Sequence, residues 1–104
     1  MILKIDSPKA SLSGPYAVVF KNLEERWVIV AFDWETDGEN KPYLGIRWFW
    51  DSAGNPVGHG HGTWFVIPSS LNKNILSGLE IDPAFRARLE DFLCGKIKGP
   101  QFKC

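Results

Sequence analysis

The sequence predicts an α+β fold: an antiparallel meander sheet of four to five strands, followed by two C-terminal helices packed on one face. Three observations carry this. Runs of β-branched and aromatic residues, separated by short turn-forming stretches, fill the chain up to residue 67. Asp82-Pro83 is a helix start, a capping side chain followed by proline at the first helical position. Phe85, Leu89, Phe92 and Leu93 then repeat at helical spacing.

The 104 residues suit one domain, mainly β over residues 1–67, with two helices over 68–97 and a mobile basic tail over 98–104. A chain of this length buries roughly two-thirds of the surface its unfolded form exposes, so it folds without staples.

The elements follow in order. Residues 2–5 alternate weakly and read as a short edge strand, and residues 6–15 read as a loop rich in Ser, Pro, Gly and Lys. Pro15 to Phe20 is a strand, and Lys21 to Glu25 a turn. Arg26 to Trp34 is the strongest strand signal, apolar at nearly every position and therefore covered on both sides. Glu35 to Pro42 is a connecting loop containing the hairpin dipeptide Asp37-Gly38. Tyr43 to Trp50 is the next strand, Asp51 to Pro56 a tight turn, and Val57 to Ile67 the following strand. Pro68 ends the sheet. Ser70 is the expected cap of a short helix over Leu71 to Ser77, stopped by Gly78, and the second helix follows Asp82.

All five tryptophans fall on these strands. Pairing Trp34 with Tyr43 and Trp50 with Val57 assigns two faces by alternation. Face one carries Trp27, Ile29, Ala31, Leu44, Ile46, Trp48, Trp50, Val57, His59, His61 and Phe65. Face two carries Val28, Val30, Phe32, Trp34, Tyr43, Arg47, Phe49, Trp64 and Val66, with Gly58, Gly60 and Gly62 in a row. Two helices cover only one face, so the other must meet the N-terminal segment, a second subunit or a ligand.

Face two supplies the leading candidate site. The glycine row Gly58, Gly60 and Gly62 would floor a trough walled by Trp34, Tyr43, Arg47, Phe49 and Trp64. Aromatic walls with one cation suit a small planar or anionic molecule, or a side chain of a protein partner. The competing account fills that space with bulky core side chains. The rival site is His59 and His61, whose spacing aims both imidazoles to one side of a strand, with Asp33 as a third group for metal or acid–base chemistry. Two partly exposed histidines packed beside Trp48 are the plainer account of that pair. Asp33 to Gly38 resembles the start of a calcium loop, but position twelve is Leu44, which cannot supply the bidentate carboxylate.

Charge narrows the partners. Twelve Lys plus Arg balance twelve Asp plus Glu, so no net field gathers nucleic acid or anionic lipid. No apolar run is long enough to cross a bilayer or serve as a signal peptide. Cys94, read as a core residue, and Cys104 read as reduced thiols of a cytoplasmic protein. No nucleophile elbow, phosphate loop or dinucleotide fingerprint is present, and no cofactor or metal is expected. The expectation is a non-enzymatic binding or protein-interaction domain, a homodimer, acting through the aromatic face. The alternative is a small metal-assisted or acid–base enzyme centred on His59 and His61. The profile is one shared by many accessory proteins of bacteria, phages and mobile gene cassettes.

Overall fold

The computed structural model describes residues 12–49, 57, 58, 61, 62 and 64–103. The strand expected at 2–5 and the turn at 51–56 lie outside the described residues, as do Trp50, His59, Gly60 and Cys104. Strands β1 (Leu12–Asn22), β2 (Trp27–Thr36), β3 (Glu39–Trp48), β4 (Val57–Gly58), β5 (His61–Gly62) and β6 (Phe65–Val66) form two sheets. The larger is an antiparallel meander in the order β1-β2-β3-β6, and β4 pairs with β5 alone. C-terminal helices follow it, as an α+β fold requires.

The hairpins are built by local chemistry. After β1, the Asn22 side chain accepts from the Glu25 backbone N–H at 2.8 Å, and the Arg26 N–H donates to the Asn22 carbonyl at 2.7 Å. Arg26 closes this loop in the left-handed region at φ 64°. Between β2 and β3, Thr36 pairs with Glu39, so Asp37 and Gly38 alone make the turn. Their φ values of 55° and 80° are the pair of left-handed conformations that a two-residue turn matched to strand twist demands. Asp33 to Gly38 is thus the end of a hairpin, and the expected connecting loop from Glu35 is strand on both sides of the turn.

Register differs from the sequence expectation by two residues. Trp34 lies opposite Lys41, and Tyr43 opposite Phe32. A shift of two leaves every side chain on its assigned face, because the side-chain period of a strand is also two. Gly45 is required in the middle of β3, since a Cβ there would overlap the Phe32 ring that lies across it.

The region expected as one strand, Val57 to Ile67, is broken. Val57 pairs with Gly62 and Gly58 with His61, so the chain reverses between Gly58 and His61. Only Phe65 and Val66 reach the main sheet, opposite Ile46 and Gly45. Glycine weakens a long strand and favours reversal.

Helix α1 (Asn72–Ser77) follows a single 3-10 turn over Ser69–Leu71. Ser70 sits inside that turn, and no side chain caps α1. Gly78 closes the helix as expected. Helix α2 (Pro83–Leu93) begins as the sequence indicates: the Asp82 carboxylate accepts from the Phe85 N–H at 3.1 Å, and Pro83 occupies the first turn.

A third helix, α3 (Gly99–Lys103), occupies the segment expected to be a mobile tail. Phe102 is buried, stacked on Phe92 at 5.0 Å and on Phe85 at 5.9 Å. Gly99 packs directly under the Tyr16 ring, leaving no room for a Cβ. Two arginines of α2 hold the flanking helices by their carbonyl ends. Arg86 donates to the Leu76 and Leu79 carbonyls at 2.9 and 3.1 Å. Arg88 donates to the Phe102 carbonyl at 2.9 Å and lies over the Phe102 ring at 5.6 Å. Cation donors at helix C-termini satisfy carbonyls that the helix itself leaves open.

The helices cover face one. Ile29, Ala31 and Leu44 of the sheet pack with Leu76, Leu89, Phe92 and Phe102 in one apolar core. Cys94 is exposed at the end of α2, where its thiol donates to the Asp91 carbonyl at 3.4 Å; it is not a core residue. The stripe ends one residue earlier, at half-buried Leu93.

Candidate functional site

Face two holds the second core cluster, with Val28, Val30, Phe32 and Trp64 buried and Tyr43, Phe49 and Val66 packed against them. The residues singled out from the sequence separate into two groups. At the turn end of the β2–β3 hairpin, Trp34 keeps 37% of its surface exposed and meets the Tyr43 ring edge-on at 5.8 Å. Exposed Lys41 lies directly opposite Trp34 on the same face. This rim combines an accessible indole, a half-buried phenol and an exposed cation.

The second group lies deeper. Arg47 is only 8% exposed and Trp64 only 5%. The Arg47 guanidinium stands 4.8 Å from the Phe49 ring centre and 6.0 Å from that of Trp64. Phe49 and Trp64 themselves meet edge-on at 6.2 Å. Burial pulls the Arg47 guanidinium below its ordinary pKa, and the π faces on two sides offset part of the desolvation. Tyr43 and Arg47 are four residues apart on β3, about 13 Å at ~3.3 Å per residue, so rim and interior are distinct places.

The glycines do not share one strand. Gly58 and Gly62 sit on opposite strands of the separate β4–β5 ladder, and Gly60 is outside the described residues. The histidine arrangement changes with it. His61 lies on the returning strand, and His59 is outside the described residues. Asp33 is on face one, where its carboxylate accepts from the Tyr16 hydroxyl at 2.9 Å. Burial, then this hydrogen bond, push the Tyr16 pKa up to about 12. Among the described residues no three metal-ligating side chains gather. Among the described residues no helix is long and apolar enough to cross a membrane.

Lys41 is the site residue that sequence reasoning missed, because it was placed in a loop. The signal was there: a two-residue Asp37-Gly38 turn forces the strands to run up to it, which sets Lys41 against Trp34. Lys21 joins the same face opposite Val28. The described charges on face two are then Lys21, Lys41 and Arg47 against Glu39 beside the turn. A chain of zero net charge has sorted cations onto its aromatic face.

An open hollow of about 230 Å³ adjoins the rim, lined by Lys41, Pro42, Tyr43, Leu93, Cys94 and Gly95. It opens beside the stretch of β3 that β6 does not reach. The Ile67 N–H donates to the Leu44 carbonyl at 2.9 Å, which marks the even-numbered residues of β3 as those whose backbone groups face outward. Pro42 therefore stands at an outward position, where its missing N–H breaks no bond of the sheet and denies a donor to any strand approaching that edge.

Comparison with known proteins gives no match: no family model fits the chain, and no curated protein and no solved structure is similar to it.

Proposed function

We propose that this is a non-enzymatic binding domain whose contact surface is the Trp34–Lys41–Tyr43 rim, and that its ligand is a small planar anion. The observation that carries this is the exposed indole of Trp34 set edge-on to Tyr43 and opposite a lysine. A tryptophan offers a large rigid surface at small entropic cost, and one left open at a rim is a natural anchor. Lys41 adds a charge that an anionic substituent can reach while the ring stacks. The excess of cations over acids on this face favours the same sign of ligand.

The test is a screen of planar carboxylates and their uncharged amides, read by tryptophan fluorescence on the purified chain. Saturable quenching by the carboxylates, weakened by salt and lost in both Trp34→Ala and Lys41→Ala, is the expected result. Circular dichroism serves as the check that both variants remain folded. Equal quenching by acid and amide, or quenching that survives Trp34→Ala, would overturn the proposal.

A further inference from the structure

The hollow beside the rim carries opposite charges on its two sides. On the sheet side stands Lys41, exposed, its ammonium without a hydrogen-bond or ion-pair partner among the described residues. On the helix side, Leu93, Cys94 and Gly95 form the C-terminal end of α2. That end is negative. The last turn of this eleven-residue helix carries Glu90 and Asp91 and no basic residue, and the helix dipole points the same way. Lys96, in an exposed pair 4.0 Å from Asp91, offsets only part of this. The closing turn uses the carbonyls of Glu90, Asp91 and Phe92, which accept from the N–H groups of Cys94, Lys96 and Gly95. The carbonyls of Leu93 and Cys94 accept from no described residue, so they are open to a donor from outside.

We propose that the hollow takes the head group of a free α-amino acid with a flat side chain, its carboxylate at Lys41 and its ammonium at the end of α2. The inference rests on the rim reading and names the ligand more closely: the carboxylate is the anionic group the rim requires, and the hollow adds a place for a cation. Lys41 and Tyr43 belong to both the rim and the hollow, so one molecule can span them. Its ring meets Trp34 and Tyr43 on face two, and its head group crosses the edge of β3 at Pro42. That edge is open among the described residues, since β6 pairs only with Gly45 and Ile46. A hollow of about 230 Å³ has room for several waters, and so for an ammonium, a carboxylate and the carbon between them. The charges also select against other ligands. A second carboxylate would face open carbonyls and the negative end of the helix, and a plain amine would leave Lys41 unmatched. Three fixed contacts, at ring, carboxylate and ammonium, distinguish mirror images.

Titration of L-phenylalanine, D-phenylalanine and 3-phenylpropanoate, read by tryptophan fluorescence, separates the two readings, because 3-phenylpropanoate keeps the ring and the carboxylate and lacks the ammonium. The tighter-binding enantiomer of phenylalanine should exceed 3-phenylpropanoate in affinity by about tenfold, the worth of one hydrogen bond to a charged group. The other enantiomer should bind more weakly. Ser69→Tyr, which fills the hollow from an exposed position on its wall, should remove the preference and leave 3-phenylpropanoate binding unchanged. In a Cys104→Ser chain, phenylalanine at saturation should slow alkylation of Cys94 by iodoacetamide, and 3-phenylpropanoate should slow it less. This second readout decides the matter even if Ser69→Tyr fails to fold. Equal affinity for phenylalanine and 3-phenylpropanoate would overturn the inference and leave the rim standing. Binding of neither would overturn both. A preference that survives in folded Ser69→Tyr, or that leaves Cys94 alkylation unchanged, would overturn the placing of the ammonium in the hollow.

Discussion

Phe102→Ala tests the least expected part of the fold. Phe102 is buried between Phe85 and Phe92, and its carbonyl holds the Arg88 guanidinium at 2.9 Å. Truncating a core phenylalanine costs about 3–5 kcal/mol, of which aromatic stacking supplies ~0.5–1.5. Here the loss has a ceiling. Helix α3 is only five residues long. If it undocks, the backbone entropy it regains offsets part of the loss, while Arg88 and Tyr16 lose their partners on it. The net destabilisation should therefore fall at or below the bottom of that range, about 2–3 kcal/mol. Urea denaturation followed by tryptophan fluorescence measures it, with the midpoint moving and the slope held near the parent value. Lys98→Ala, an exposed neighbour, should change stability by less than about 0.5 kcal/mol. A Phe102→Ala effect below about 1 kcal/mol would refute the docking of α3 and return the segment to a tail.

Three further perturbations follow from the same geometry. Tyr16 has its pKa raised from 10.0 to about 12, so the folded state keeps its proton more tightly than the unfolded chain; this stability is intact below pH 10 and disappears as pH climbs towards 12. Tyr16→Phe should flatten that loss in a comparison of melting temperatures across the window, and parallel curves would contradict the Asp33 contact. Gly45→Ala places a methyl against the Phe32 ring and should destabilise by about 1–3 kcal/mol in denaturant titration; a neutral result would mean that the ring moves freely. Pro42→Val restores an outward N–H to the exposed edge of β3, and light scattering over a concentration range should show self-association stronger than in the parent chain.

Much of the fold was legible because its signals are local. Asp82-Pro83 fixes the start of α2 through one side-chain bond and one missing N–H. On β2 and β3 the two faces were assigned correctly despite a register off by two, because a two-residue slip is invisible to a pattern of period two. What failed was non-local or depended on competition between local choices. GHGHG reads as strand by continuity, yet its glycines carry no side chain to hold a long strand to a neighbour, and Gly58 turns to pair with His61. Ile97 and Phe102 are the only large apolar residues of the final segment, and one aromatic in five residues gives no helical period. Its burial depends on Phe85 and Phe92 presenting a gap of ring width, which no sequence window contains. The same limit explains the site. Trp34, Tyr43, Arg47, Phe49 and Trp64 share a face as alternation requires, but alternation says nothing of depth. Arg47 and Trp64 are covered while Trp34 stays open.

That difference in depth sets what each group can do. Mutating Arg47 or Trp64 to alanine removes core packing along with any ligand contact, so weakened binding in those variants would not isolate recognition. Trp34 and Lys41 contribute little to the interior and can be changed with the sheet intact. Pro42 strengthens this division. By withholding a donor at the outward edge, it keeps the strand beside the rim from being covered by another strand, and the indole and lysine remain available on the face. The same β3 residues thus serve three directions at once: Leu44 inward to the helices, Pro42 at the edge against strand addition, Lys41 and Tyr43 towards the second face. A hairpin closed by the two-residue turn at Asp37-Gly38 sets all three, because the turn fixes which residues pair and therefore which way each one points.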